Sequence, residues 1–121
     1  MSFPSEYVAG LIDGDGSVSL TEYRQSGNVF LVVQLTGLDT PEFQALGGEI
    51  KRNAKRCGVT SAGNPYAKMC WYGSTAETLM REIGPHLRLK RRQWEITQRF
   101  FENRSLAPQL RVEMMRANKE T

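Results

Sequence analysis

The sequence predicts one α+β domain over residues 1–121, ordered helix, two strands, helix, two strands, helix, with further helices trailing, and three observations predict it. Period-two alternation comes in two pairs of stretches, at 17–23 with 28–36 and around 49–55 with 66–72. A short apolar segment with helix start and stop signals precedes each pair. After the second pair, Leu89, Trp94, Ile96, Phe100 and Phe101 supply a broad apolar helical face. The 121 residues suit one compact domain, and 40% hydrophobic content with 24% charge suits a folded chain rather than a disordered one.

Ser5 is placed to cap the first helix, which continues through Glu6 to Ile12 and is expected to stop at Gly14 and Gly16. Ser17, Ser19, Thr21 and Tyr23 then alternate with Val18 and Leu20, the pattern of a strand with one wet face. Residues 25–28, Gln-Ser-Gly-Asn, predict a hairpin turn. The returning strand puts Val29, Leu31, Val33 and Leu35 on one face, and Asn28, Gln34 and Thr36 on the other. Asp39, Thr40 and Pro41 open a short helix carrying Phe43 and Leu46 up to Gly47 and Gly48. The second strand pair flanks a loop at 60–65. Ser74 and Glu77 then have the spacing of a capping box for a helix bearing Leu79 and Ile83. Pro108 opens a last helix with Leu110 and Met114.

Composition excludes several classes. No apolar stretch approaches the roughly 20 residues of a membrane-spanning helix, and the N-terminal residues lack a basic region followed by an apolar block, so the expectation is an intracellular chain with no membrane partner. Cys57 and Cys70 stand apart from each other, and His86 is the sole histidine, which supports neither a zinc site nor a disulfide framework. Net charge is only +3, yet the positives bunch at 51–56 and 88–93, an arrangement suited to phosphate.

The segment 8–16, VAGLIDGDG, places two aspartates two residues apart between glycines. A calcium loop starting at Asp13 would need glycine at Val18 and glutamate at Arg24. A dinucleotide fingerprint would need glycine at Ser19 and a strand before it. Both fail. Gly10 costs a helix about 1 kcal/mol relative to alanine, which another backbone coming close would explain. The segment resembles the LAGLIDADG homing endonuclease motif at seven of its nine positions, with Val8 first and Gly14 in place of the second alanine. The order of helices and strands agrees over essentially the whole chain, and 87–90, Leu-Arg-Leu-Lys, is similar to the family's basic segment at the start of a late helix.

The resemblance implies an αββαββα fold with a saddle-shaped antiparallel sheet lying on double-stranded DNA. It implies a homodimer as well, since only one motif is present, with the motif helices packed through Val8, Ala9, Gly10, Ile12 and Asp13. It further implies that Asp15 and the Gly14 carbonyl hold magnesium or another divalent cation such as manganese. Lys90 matches the family's basic residue near the scissile phosphate, and with Asp15 it is the second candidate catalytic group. At the end of the second strand Gly37 stands where members often carry a polar residue, a place that Gln34 or Asp39 would have to fill.

Alternation then selects the residues offered to base edges, because a two-stranded ribbon can enter the major groove. They are Ser17, Ser19, Thr21, Tyr23, Asn28 and Gln34 on the first hairpin, and Lys51, Asn53, Lys55, Lys68 and Tyr72 on the second. The expected activity is a metal-dependent, site-specific double-strand cut in a long, roughly palindromic DNA target. The alternatives are an RNA-binding intron maturase and a non-cleaving DNA-binding regulator of the same fold.

Overall fold

A computed structural model describes residues 3–52 and 66–120; Asn53, Lys55, Cys57 and the expected loop at 60–65 lie outside the described residues. Helix α1 (Ser5–Asp15) leads into β1 (Gly16–Glu22) and β2 (Val29–Leu38), joined by a turn in which Gly27 takes a positive φ of 73°. A single-turn helix α2 (Pro41–Gln44) follows, capped by the Thr40 hydroxyl, which accepts from the Phe43 amide at 3.1 Å. Then come β3 (Glu49–Lys51), β4 (Tyr66–Tyr72), α3 (Gly73–Ile83), α4 (Arg91–Glu102) and α5 (Ala107–Glu120).

The strands form an open antiparallel sheet in the order β1-β2-β4-β3. Its inner face carries Val18, Leu20, Leu31, Val33, Leu35, Ala67, Met69 and Trp71, all buried in one cluster with side chains of the helices. From α3 come Ala76, Met80 and Ile83, from α4 Trp94, Ile96 and Phe100, and from α5 Leu110, Met114 and Ala117. Each large apolar side chain buried this way stabilises the fold by about 1.5–3 kcal/mol. A polar chain then pins the trailing helices to the sheet edge: Gln93 Nε2 donates to Asn118 Oδ1 (3.2 Å), and Asn118 Nδ2 donates to the Val18 carbonyl (2.9 Å).

Four local expectations are corrected. Pro4, not Ser5, is the N-cap of α1, and Ser5 is already helical. The helix also does not stop before the aspartates, because Asp13, Gly14 and Asp15 all remain helical and the chain turns at Gly16, which is extended. A side chain at Gly16 would meet the Gln34 carbonyl oxygen and the Ile12 Cα at 2.8 Å, so glycine is required where α1 passes into the sheet. The cap of α3 is not the Ser74–Glu77 pair. Thr75 Oγ1 accepts from the Tyr72 amide and donates to the Tyr72 carbonyl, while Glu77 turns away to bind Arg104 at 2.7 and 3.0 Å. Leu89, expected in the core, is 70% exposed. Its two neighbours, Arg88 and Lys90, have their amides fastened to Asp13, which leaves the side chain between them facing solvent.

Candidate metal centre and nucleic-acid interface

The last turn of α1 presents its two carboxylates differently. Asp15 is exposed and makes no hydrogen bond or ion pair among the described residues. It lines a hollow of about 270 Å³ with Tyr7, Thr36, Gly37, Thr40 and Glu42. Asp13 is engaged on both oxygens: Oδ2 accepts from the Arg88 amide at 2.8 Å and Oδ1 from the Lys90 amide at 3.0 Å. Lys90 answers with its side chain, Nζ donating to the Asp13 carbonyl at 3.1 Å, and the residue is only 7% exposed.

The outer face of the sheet is set by register. One row across the strands is Ser17, Gln34, Cys70, Glu49; the next toward the hairpin tip is Ser19, Val32, Tyr72, followed by Thr21 with Phe30. On the other side lies the row Thr36, Lys68, Lys51. Ser17, Ser19, Thr21, Gln34, Lys51, Lys68 and Tyr72 thus share one face. Tyr23, 57% exposed, continues it by stacking on Phe30 at 4.4 Å, next to exposed Asn28. Lys51 sits over the Tyr72 ring at 5.2 Å, and its hydrogen bond with the Tyr72 hydroxyl raises the ammonium above its usual range. A hydrogen bond with Cys70 is the main cause that raises the Tyr72 hydroxyl in turn.

Sequence alternation missed three features of this face. Val32 and Cys70 are buried in its middle, so its reactive groups lie around an apolar centre. Thr36, placed on the outer face with Gln34 by the alternation, also shares the hollow of Asp15, which the alternation did not show. Neither residue expected to stand in for the polar group near Gly37 lines that hollow. The Phe43 ring lies 3.1 Å from where a Gly37 side chain would begin. Gln34 belongs to the Ser17 row, and Asp39 is bound by Arg52 Nε at 2.6 Å and Gln44 Nε2 at 3.0 Å. The Arg52 hydrogen bond is the largest cause holding the Asp39 carboxyl below its usual range. Arg52, one of the positives that bunch at 51–56 in the sequence, is thus paired with a carboxylate.

Of the residues expected at a helix–helix contact, Val8, Ala9 and Ile12 are buried in the chain's own core. Gly10 is exposed, and a side chain there would meet nothing within 4 Å, so no backbone among the described residues explains the glycine. The outward stripe of α1 is instead Tyr7, Gly10 and Gly14, with Leu11 partly buried beside it. Beside Gly10 and Asp13 opens a cleft of about 460 Å³, walled by Glu6, His86, Arg88 and Arg91.

No family model matches the sequence, and no curated protein matches it. Solved structures do. The homing endonuclease I-CvuI, in complex with the I-CreI target in 2 mM Mg with the DNA not cleaved, superposes with a TM-score of 0.63 at 17% identity, over 97% of this chain and 81% of that one. The fold is that of the LAGLIDADG homing endonucleases. I-GzeII, in complex with its DNA target, matches at TM-score 0.59 and 14% identity over all of this chain, which spans only 45% of that protein. I-TnaI matches at TM-score 0.54 and 13% identity, over all of this chain and 89% of that one. In this LAGLIDADG fold the motif occupies α1, its last aspartate is the free one, and its first is bound to the turn before α4. Among the described residues no three His, Cys, Asp or Glu side chains gather as a metal site, and no helix is long and apolar enough to cross a membrane.

Proposed function

We propose that the protein is a homodimeric, divalent-metal-dependent endonuclease that makes a site-specific double-strand cut in a long, roughly palindromic DNA. The observation that carries this reading is the Asp15 carboxylate, without a partner among the described residues, at the C-terminal end of the motif helix, beside a sheet face of hydroxyl, amide and ammonium groups.

The donor set fits a hard cation: the Asp15 carboxylate and the Gly14 carbonyl, one of the last four of α1, are oxygen ligands of the kind magnesium and manganese take. One carboxylate is too few for a closed site. A second copy related by a dyad would bring another Asp15, and the outward Gly10 and Gly14 would let the two helices approach closely. Such a cation, when bound, lowers the pKa of water and neutralises charge on phosphate and leaving oxygen. The chain's own work is to hold that carboxylate rigidly and to place the DNA. Lys51 and Lys68 offer ammoniums to phosphate or to guanine acceptors, and Gln34 can pair with adenine, while Ser17, Ser19, Thr21, Tyr23, Asn28 and Tyr72 offer hydroxyl and amide contacts along the groove. Asn53 and Lys55 continue the β3 series in sequence.

The free Asp15 supports cleavage over a purely binding regulator, which has no use for an unpaired carboxylate beside its DNA face. No observation favours RNA, and the solved neighbours quoted above that carry nucleic acid carry DNA. Selection of cut molecules from a randomised palindromic duplex library in magnesium tests the reading. Recovery of one two-fold-related site supports it, and no cutting of any sequence in magnesium or manganese would sink it.

A further inference from the structure

The last turn of α1 and the turn that starts α4 cap each other across 75 residues of sequence. The carbonyl of Asp13 is among the last four of α1, which have no donor inside their own helix. Lys90 Nζ supplies one at 3.1 Å. The amide of Lys90, the N-cap of α4 whose carbonyl takes the first helical bond from the Trp94 amide, lacks a helical partner in the same way, and that of Arg88 lies in the turn just before it. The Asp13 carboxylate takes both, at 2.8 and 3.0 Å. The signs agree with the helix dipoles, an ammonium at the C-terminal end of α1 and a carboxylate at the N-terminal end of α4. Because Lys90 is buried, its ammonium depends on the bond it makes, and losing that bond leaves a desolvated charge.

We propose that Lys90 is a positioning residue. Through the Asp13 main chain it fixes the turn that carries Gly14 and Asp15, and Asp13 is its counterpart, fixing Lys90 from below. The role rests on Asp15 being the metal-holding carboxylate, and it departs from the expectation that Lys90 meets the scissile phosphate. Asp15 is two residues beyond the bonded carbonyl on the same turn, so fraying of that turn moves the carboxylate and the Gly14 carbonyl together.

The test begins on protein free of metal and DNA. Amide exchange at Gly14, Asp15 and Gly16 should speed up about tenfold or more in Lys90→Met, with Lys90→Arg recovering most of the protection because a guanidinium still reaches the carbonyl. The magnesium concentration giving half the maximal single-turnover rate should then rise by about tenfold in Lys90→Met, the size seen when a residue behind a metal ligand is lost. DNA affinity in calcium and its salt dependence should stay as in wild type. If Lys90→Met does not fold, Asp13→Asn carries the same comparison, since it breaks the other half of the pair. Unchanged exchange, with the rate lower at every magnesium concentration, would overturn the proposal and put Lys90 at the reacting phosphate. Weaker binding with a salt slope smaller by about one unit would overturn it in favour of a phosphate clamp. Wild-type protein that cuts nothing would end the endonuclease reading, while exchange would still decide whether the cap exists.

Discussion

Asp13 and Asp15 are the same side chain two residues apart on one helical turn, yet one accepts a hydrogen bond on each oxygen from its own chain and the other, among the described residues, has none. The difference follows from helix geometry, since residues two apart on a helix point in different directions. Asp13 faces the turn before α4, where unpaired amides wait. Asp15 faces the hollow beside Thr36, where the sheet begins. A carboxylate that spends its lone pairs on backbone amides contributes stability, and one left unpaired is available to a ligand.

The sharpest way to break that contrast is Asp15→Asn. Cutting is expected to vanish, because a metal ligand is lost while no base contact is touched. Binding in calcium and the unfolding midpoint should stay near wild type, as exposed substitutions usually fall within about 0.5 kcal/mol. Normal cutting by the variant, measured at saturating protein, would remove Asp15 from the site. Gly10→Leu probes the side of the same helix that none of the described residues covers. If a second α1 packs there, sedimentation should report a monomer and cutting should be lost while circular dichroism is retained; an intact dimer would place the interface elsewhere.

Asp13→Ala has the next largest effect, and its signature should be the reverse of that of Asp15→Asn. Loss of a carboxylate that accepts from two backbone amides should cost about 1–3 kcal/mol in denaturant unfolding. A midpoint unchanged from wild type would mean that the two amides find other partners. The smallest effect is expected at Asp39, whose partner Arg52 is half exposed to solvent. Its folded pKa is lowered, so its contribution is present above the ordinary carboxylate value of 3.8 and fades as pH falls through the lowered folded value. Arg52→Ala should flatten stability below pH 4 only slightly, because an exposed pair is screened.

Much of this was legible in the sequence. The two strand pairs and their inner faces followed from alternation, since each strand turns every second residue to the core, and the trailing helices followed from their apolar face. The same logic placed Lys51, Lys68 and Tyr72 on one face with Ser17 and Gln34 before any pairing was known. The motif's resemblance singled out Asp15. What misled was local reasoning at element ends. Gly14 reads as a helix stop, yet the helix continues, because the bonds that hold its last turn come from Arg88 and Lys90. Ser74 and Glu77 have capping-box spacing, but Arg104 captures the glutamate and Thr75 does the capping.

The sequence by itself determined the period of each element, the polarity of each face and the residue types at the motif. Tertiary structure decided which of two aspartates is free, that Lys90 is buried against Asp13 rather than solvated, that Leu89 faces outward, and that Val8, Ala9 and Ile12 serve the chain's own core. The physical reason is range. Periodicity records the average environment of a face, whereas a hydrogen-bond partner is one atom within about 3 Å, and here it lies 75 residues away in sequence.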